Sequence, residues 1–495
     1  MSGTRVVVLG GGPAGLRAAL GLARRGFAPT LLEARGEVGG NAGSFTLGGI
    51  RVDYGSHRLH PATDPEILAE LRELVGEDLL ERPRHGRILL GGRWIHFPLR
   101  PLDLALHAPH RFVLGVAKDL ARRGVPAGRR RAGGPGGTET FAGVLERGLG
   151  ATICREFYFP YARKIWGLEP HEISPVQARK RVSAGSIGKL LRRLLPGGSG
   201  GGGRSTKGVF YYPRHGYGQI SEALAEAASG AGADVRLRTR VLRLGLDGGG
   251  AREQGPGAPE ARVGTGSRRV EAEGPGGVRA FACDHVWSTL PVGPMVRMID
   301  PPPPAEVLRA AEGLDQRAML LVYLVLEQDR FTEYDAHYFP SPDVPFTRLS
   351  EPRNYAARED PRGRTALCAE IPCSTTDAIW SEDDETLGRR VREGLARAGL
   401  PVGSPVLEVA VRRLPSAYPL YRIGYEEHFD RVDAWLREVP GLLTFGRQGL
   451  YAHDNTHHAL FMARAAVTCL GDDGRFDGKR WAAYRSVFAE HVVED

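Results

Sequence analysis

Three glycines near the start of the chain, Gly10, Gly12 and Gly15, stand at the spacing G-x-G-x-x-G directly after the run from Arg5 to Leu9. Their use lies in missing side chains: the first permits a sharp strand-to-helix turn, the second lets backbone approach a pyrophosphate, and the third lets helix and strand lie close. Pro13 and Ala14 then open the helix, where free N–H groups and the dipole favour negative charge. Glu33, eighteen residues after Gly15, stands where a carboxylate accepts ribose hydroxyls. A glycine-rich turn beside an ordinary surface glutamate is the bland alternative. The triplet follows a strand, opens a helix and is answered by that carboxylate, so a dinucleotide site is expected. Histidines supply a second group: His57 and His60 follow Gly55, and His453, His457 and His458 cluster near the end. No carboxylate or cysteine at metal-ligand spacing accompanies the latter, so no metal is expected.

These residues need a strand, a turn and a helix to place them. Leu16, Ala19, Leu20, Leu22 and Ala23 recur at helical spacing, Gly26 ends the helix, and residues 29–33 form a second strand. Further along, the pattern predicts a helix over 220–227, a strand over 234–244, buried strands over 281–290 and 318–327, and helices over 385–398 and 456–470. Residues 124–138 and 196–207 are glycine-rich and read as flexible; 248–277 reads as an extended hairpin or surface insertion.

At 495 residues the chain exceeds one ordinary core, and two or three structural units are expected. Hydrophobic residues at 42% and charged residues at 25% fit a soluble globular protein. No apolar run reaches the roughly 18 residues of a membrane span. Met1 leads almost at once into the first strand, so a cleaved leader is not expected and a cytoplasmic location is. Five scattered cysteines, Cys154, Cys283, Cys368, Cys373 and Cys469, show no C-x-x-C pair, which argues against disulfides and structural zinc. The net charge of +8 comes from arginine spread along the whole chain. That distribution excludes a nucleic-acid stripe and favours a small anionic substrate or cofactor. Oligomeric state is not legible.

Past Glu33, the segment holding Ala34, Arg35, Gly39, Gly40 and Asn41 resembles the second phosphate loop of glutathione-reductase-like flavoproteins in the amine oxidase superfamily, which implies FAD. The stretch Gly55-Ser56-His57-Arg58-Leu59-His60 is similar to the Gly-x-His-x-x-His loop that UDP-galactopyranose mutases lay against the flavin. That likeness implies catalytic roles for His57 and His60. Tyr161 to Ile173 looks like the Lys-x-Trp-Gly segment of the mutases and of protoporphyrinogen-oxidase-like proteins. It implies that Tyr161 and Trp166 hold a base and that Arg181 binds diphosphate, with Lys180 at the strict family spacing. Tyr211 to Gly218 resembles the turn before the second FAD-domain helix, and Val241 falls where a strand meets adenine through its backbone.

Arg348, Asn354 and Tyr355 look like a phosphate-binding Arg…Asn-Tyr segment of the mutases; a charged surface loop is the alternative. Gly446 and Arg447, followed by Asn455 and Thr456, resemble the signature that ends the superfamily's FAD fold, with His457 in place of its aspartate. Tyr421 and Tyr451 complete the expected substrate-binding set, while Arg348 and Arg447 join the two histidines as expected catalytic groups. The resemblance implies an α/β, glutathione-reductase-like Rossmann FAD domain in three pieces, 1–75, 205–300 and 440–495. A mixed α+β substrate region would take 76–204 and 301–439. Two activities compete. One is a pyranose–furanose mutase, in which N5 of reduced FAD attacks the anomeric carbon of a nucleotide-linked sugar. The other is an oxidase or dehydrogenase of the protoporphyrinogen-oxidase or amine-oxidase type, and fold alone does not decide between them.

Overall fold

Val6–Leu9 is buried along its whole length, as a central parallel strand must be. Around it the computed structural model, which describes residues 3–123, 139–181, 208–246, 268–357 and 360–493, builds a five-stranded parallel sheet. Its order is Leu442–Thr444, His285–Ser288, Val6–Leu9, Thr30–Leu32, Asp234–Arg236. Pro13–Arg24 lies on this sheet with Gln219–Gly230 and Thr456–Cys469, sharing a core of Val6, Val8, Leu16, Leu20, Ile220, Leu224 and Leu460. Ala305–Glu312 and Tyr425–Glu438 share the opposite core with Val7, Leu9 and Val286. The fold is α/β.

Two expected strands are each two strands. The run 234–244 divides into Asp234–Arg236, in the parallel sheet, and Arg240–Gly245, in a four-stranded sheet with Arg268–Gly274, Gly277–Cys283 and Ile299–Asp300. Arg238, at φ 51, turns the chain between them. The run 281–290 divides at Asp284 into Gly277–Cys283 and His285–Ser288. Asp284 accepts the backbone N–H of Arg5 at 2.7 Å, so the crossing sits where the first strand begins. Around Asp284 both halves are largely apolar, which hides the change of sheet. The hairpin Arg268–Gly274/Gly277–Cys283 agrees with the end of the expected insertion; 248–267, 124–138 and 196–207 lie outside the described residues.

The second large layer is a seven-stranded sheet whose central strands, Gln316–Leu326 and Thr365–Cys373, are almost wholly buried. Leu387, Val391 and Leu395 of Asp384–Arg397 cover one face. Phe45, Val52 and Tyr54, from the hairpin Ser44–Leu47/Ile50–Asp53, cover the other. That hairpin joins the two layers through Asp53, which is 4% exposed. Its carboxylate accepts from Ser44 Oγ at 2.6 Å, Tyr217 N at 2.9 Å and Tyr212 OH at 2.6 Å, and its carbonyl accepts from Tyr323 OH at 2.5 Å. Among the described residues no helix is long and apolar enough to cross a membrane.

Buried donors left without an acceptor are costly, and bonds to a charged group contribute more than neutral ones. Asp53→Ala is therefore expected to lower the unfolding free energy by roughly 3 kcal/mol in urea titration. A change below about 1 kcal/mol would contradict the role assigned to this junction.

Candidate functional site

At the carboxyl ends of the parallel strands the glycine turn opens onto a cleft of ≈ 440 Å³. Gly10 takes φ +100, and its N–H donates to Leu32 O at 2.9 Å. Glu33 ties the turn to the second strand: one carboxylate oxygen accepts Gly11 N–H at 2.7 Å and the other Arg35 N–H at 2.8 Å. Gly39 N–H donates to Gly11 O at 2.7 Å, bringing the Gly39–Asn41 loop over the turn. Gly12 caps Pro13–Arg24 without any side-chain bond, so the first-turn N–H groups of Ala14 and Gly15 keep the orientation that receives an anion. A Cβ built on Gly12 meets nothing within 4 Å, and the space it would enter is the cleft. Uncapped N–H groups, that opening and a carboxylate beside it fit the ADP half of a dinucleotide.

The far end of the cleft joins elements distant in sequence. Ser56, His57, Arg58 and His60 line it from one side, and Gly446, Arg447, Gln448, Asn455 and Thr456 from the other. Asn455 begins Thr456–Cys469 with a capping box, its side chain accepting from the backbone while His458 Nδ1 accepts Asn455 N–H at 3.2 Å. His57 stacks on Tyr217 at 5.3 Å. Burial, then the charges of Arg348 and Arg447, push its imidazole down to about 3, so it is neutral near pH 7.

Cations dominate the cleft as a whole. Arg35, Arg58, Arg84, Arg348 and Arg447 line the cleft, against Glu33 and Asp454. Arg58 pairs with Asp335 at 3.2 Å and lies over the rings of Phe210 and Tyr355. Arg348 pairs with Glu370 at 2.8 Å, and Glu370 also accepts Ser56 N–H at 2.8 Å. Arg447 donates to Ala417 O at 3.0 Å over the face of Tyr418. Asp454 is already bound, by Lys180 at 3.2 Å and His491 at 2.9 Å.

Of the residues expected from sequence, Gly10, Gly12, Pro13, Ala14, Glu33, Arg35, Gly40, Asn41, His57, His60, Arg348, Gly446, Arg447, Asn455 and Thr456 line this one cleft. Gly15, Ala34, Gly39 and Val241 do not; Gly15 and Gly39 shape the loops, and Val241 packs into the core beside Leu244. Most of the expected substrate set lies outside this lining. Trp166, 4% exposed, is packed in the helical core, edge-on to Tyr418 and His453. Tyr161 stacks on Phe157 away from the cleft lining. The Asn354 amide donates to Thr332 O and Tyr334 O, and the Tyr355 hydroxyl meets Ser56 Oγ at 2.5 Å. Tyr421 OH donates to Tyr451 O at 3.0 Å, and Tyr451 OH to Leu420 O at 3.0 Å. Buried groups satisfied in this way support structure. Arg181 ends the helix Pro175–Arg181, and its side chain lies outside the described residues.

Sequence reading missed Arg58, Arg84, Tyr418 and Asp454 as lining residues. Arg58 and Asp454 at least adjoin motifs that were read. The expectation that no carboxylate joins the C-terminal histidines also needs correction: ligand atoms of Asp454, His458 and His491 come within 4.8 Å of one another. Two features of the cluster oppose a shared ion. The Nδ1 atoms of His458 and His491 are already engaged, by Asn455 N–H and by Asp454 Oδ2, and the Lys180 ammonium already sits on the carboxylate.

An unfolded histidine titrates near ~6.5, far above folded His57, so below that pH the folded chain binds fewer protons and loses stability as pH falls. Over about pH 6.5 to 4, the melting temperature of the wild type should fall more steeply than that of His57→Gln. Equal slopes would contradict a neutral, charge-flanked His57.

Solved structures with this architecture include reduced UDP-galactopyranose mutase, at TM-score 0.76 and 17% identity over 99% of this chain and 100% of that one. A putative protoporphyrinogen oxidase from Exiguobacterium gives TM-score 0.68 and 20% identity over 94% and 98%. At such identities the likeness is one of fold. A putative flavin-containing monoamine oxidase of Mycobacterium tuberculosis is 30% identical over 261 residues, 50% of this chain and 52% of the relative. The match with that relative thus spans about half its length. The sequence pattern of the flavin containing amine oxidoreductases matches residues 13–461. With that span and a cleft shaped for a dinucleotide, the chain is a FAD-dependent enzyme that belongs to the flavin containing amine oxidoreductase family.

Proposed function

We propose that the enzyme acts on an anionic small molecule, a nucleotide-linked sugar, without net oxidation. The observation carrying this is the arginine lining of the cleft: Arg84, Arg348 and Arg447 share it with His57, Arg348 tied to Glu370, against the two lining carboxylates Glu33 and Asp454, which also hold partners. Two like charges 4 Å apart repel by ~4 kcal/mol at an effective dielectric near 20. An ammonium substrate is therefore disfavoured there and a diphosphate favoured. Arg348, oriented by Glu370, presents a planar fork suited to paired phosphate oxygens, and Arg447 is steadied over Tyr418.

In this reading Gly10 to Gly15 and Glu33 hold the ADP half of FAD, and the His57 loop and Gly446 turn hold its ring. Bound FAD supplies an electron-rich N5 when reduced and a hydride acceptor when oxidised. Neutral His57 adds no positive charge and can pass a proton only at acidic pH. The cofactor-binding part would comprise 1–75, 205–300 and 440–495, joined by the helices Ala305–Glu312 and Tyr425–Glu438 that share its core.

A second reading, net oxidation of an anionic substrate, is favoured by the position of Trp166 and Tyr161. Neither lines the cleft, so the expected platform for a nucleotide base is missing from the described lining. The two separate on a single assay with a uridine or guanosine diphosphate hexose. The proposal predicts isomerisation by dithionite-reduced enzyme with no net electron transfer; peroxide formation or oxygen uptake, with no isomer, would favour the second reading. Arg348→Lys keeps a charge for Glu370 but loses the fork, and should raise KM about tenfold or more, read by initial rates.

A further inference from the structure

Residues 491–493 reach the cleft. Gly478–Ala489 is anchored by Trp481 and Phe488, each 4% exposed, and by Arg485, whose fork meets both oxygens of Asp433 at 2.9 and 3.1 Å. Beyond this helix the chain turns back toward the cleft. Val493 N–H donates to Lys180 O at 2.7 Å, and its side chain, 9% exposed, lines the cleft.

Two residues earlier, His491 Nδ1 meets Asp454 Oδ2 at 2.9 Å; the two side chains are 11% and 0% exposed. Lys180 holds the other oxygen of that carboxylate at 3.2 Å. The imidazole of His491 also stacks on His458, the residue that caps Thr456–Cys469 through Asn455 N–H. Phe461 and Phe488 also pack against the His491 ring, at 6.1 and 5.6 Å, and His457 lies 4.0 Å from His458. A buried carboxylate is tolerated only while its oxygens are bonded, so His491 secures both the charge of Asp454 and the ring beneath the cap.

We propose that His491 is a positioning residue for the cofactor: through Asp454 and His458 it sets the helix N-terminus that lines the flavin end, while Val493 closes the adjoining wall. The inference rests on the reading of this cleft as the FAD site. Its consequence is that His491 and Val493, far in sequence from the family's glycine turn, control FAD affinity and flavin electronics.

The test compares the full chain with His491→Ala, His491→Asn and a chain ending at Glu490. FAD binding is followed by flavin fluorescence, and the visible spectrum and midpoint potential are recorded, with circular dichroism as the check on folding. His491→Ala and the shortened chain should bind FAD about tenfold more weakly, with a shifted flavin band and a lower potential, because one hydrogen-bond partner of the buried Asp454 carboxylate is gone. The amide of His491→Asn can still donate to Asp454 and should restore much of the affinity. A folded, shortened chain with wild-type affinity, spectrum and potential would overturn the proposal. So would equal loss in the alanine and asparagine variants. If the full chain itself takes no FAD, the reading beneath fails, and this inference with it.

Discussion

A Cβ on Gly15 would stand 2.0 Å from the carbonyl oxygen of Gly10, a distance no side chain can occupy. This contact between the end of the first strand and the start of the first helix is the constraint from which the site follows. It points the helix's uncapped N–H groups past Gly12 into open space. It also brings the Gly11 N–H within reach of Glu33, so that a carboxylate ready for ribose is fixed by the same turn. The parallel sheet then needs only its ordinary property, a crevice beyond the carboxyl ends of its strands.

What fills the remainder of the crevice is a matter of charge. Arg58 and Arg348 are each tied to a buried carboxylate, Asp335 and Glu370, so their guanidinium groups are oriented before any ligand arrives. Preorganised cations lose little on binding an anion, because the cost of ordering them is met in folding. Burial, and after it the charges of Arg348 and Arg447, keep His57 unprotonated. In the function we propose, this arrangement favours phosphate or carboxylate in the substrate over an amine, even though the family takes its name from amine oxidation.

Legibility in the sequence followed locality. The glycine turn, Glu33, the His57 loop and the Gly446 turn were readable because each is a short pattern whose backbone geometry is set by its own residues. Arg84, Tyr418 and the pairing of Asp454 with His491 were not, since only the tertiary fold brings them to the cleft. Trp166, Asn354, Tyr421 and Tyr451 show the converse. Their types suit ligand binding, but orientation decides, and all four spend their packing surface or polar atoms on the protein itself. The change of sheet at 284 is hidden because strands of two sheets follow one another in one apolar run, and the one at 238 because only the positive φ of Arg238, which residue type does not announce, separates the two strands.

Gly12 offers the most direct measurement. A Cβ there touches no protein atom within 4 Å, so Gly12→Val should fold normally while filling the space assigned to the pyrophosphate. Flavin bound per chain, read from visible absorbance after removal of free cofactor, should be close to one for the wild type and close to zero for the folded variant. A folded Gly12→Val protein that holds FAD as fully as the wild type would contradict the account at its base.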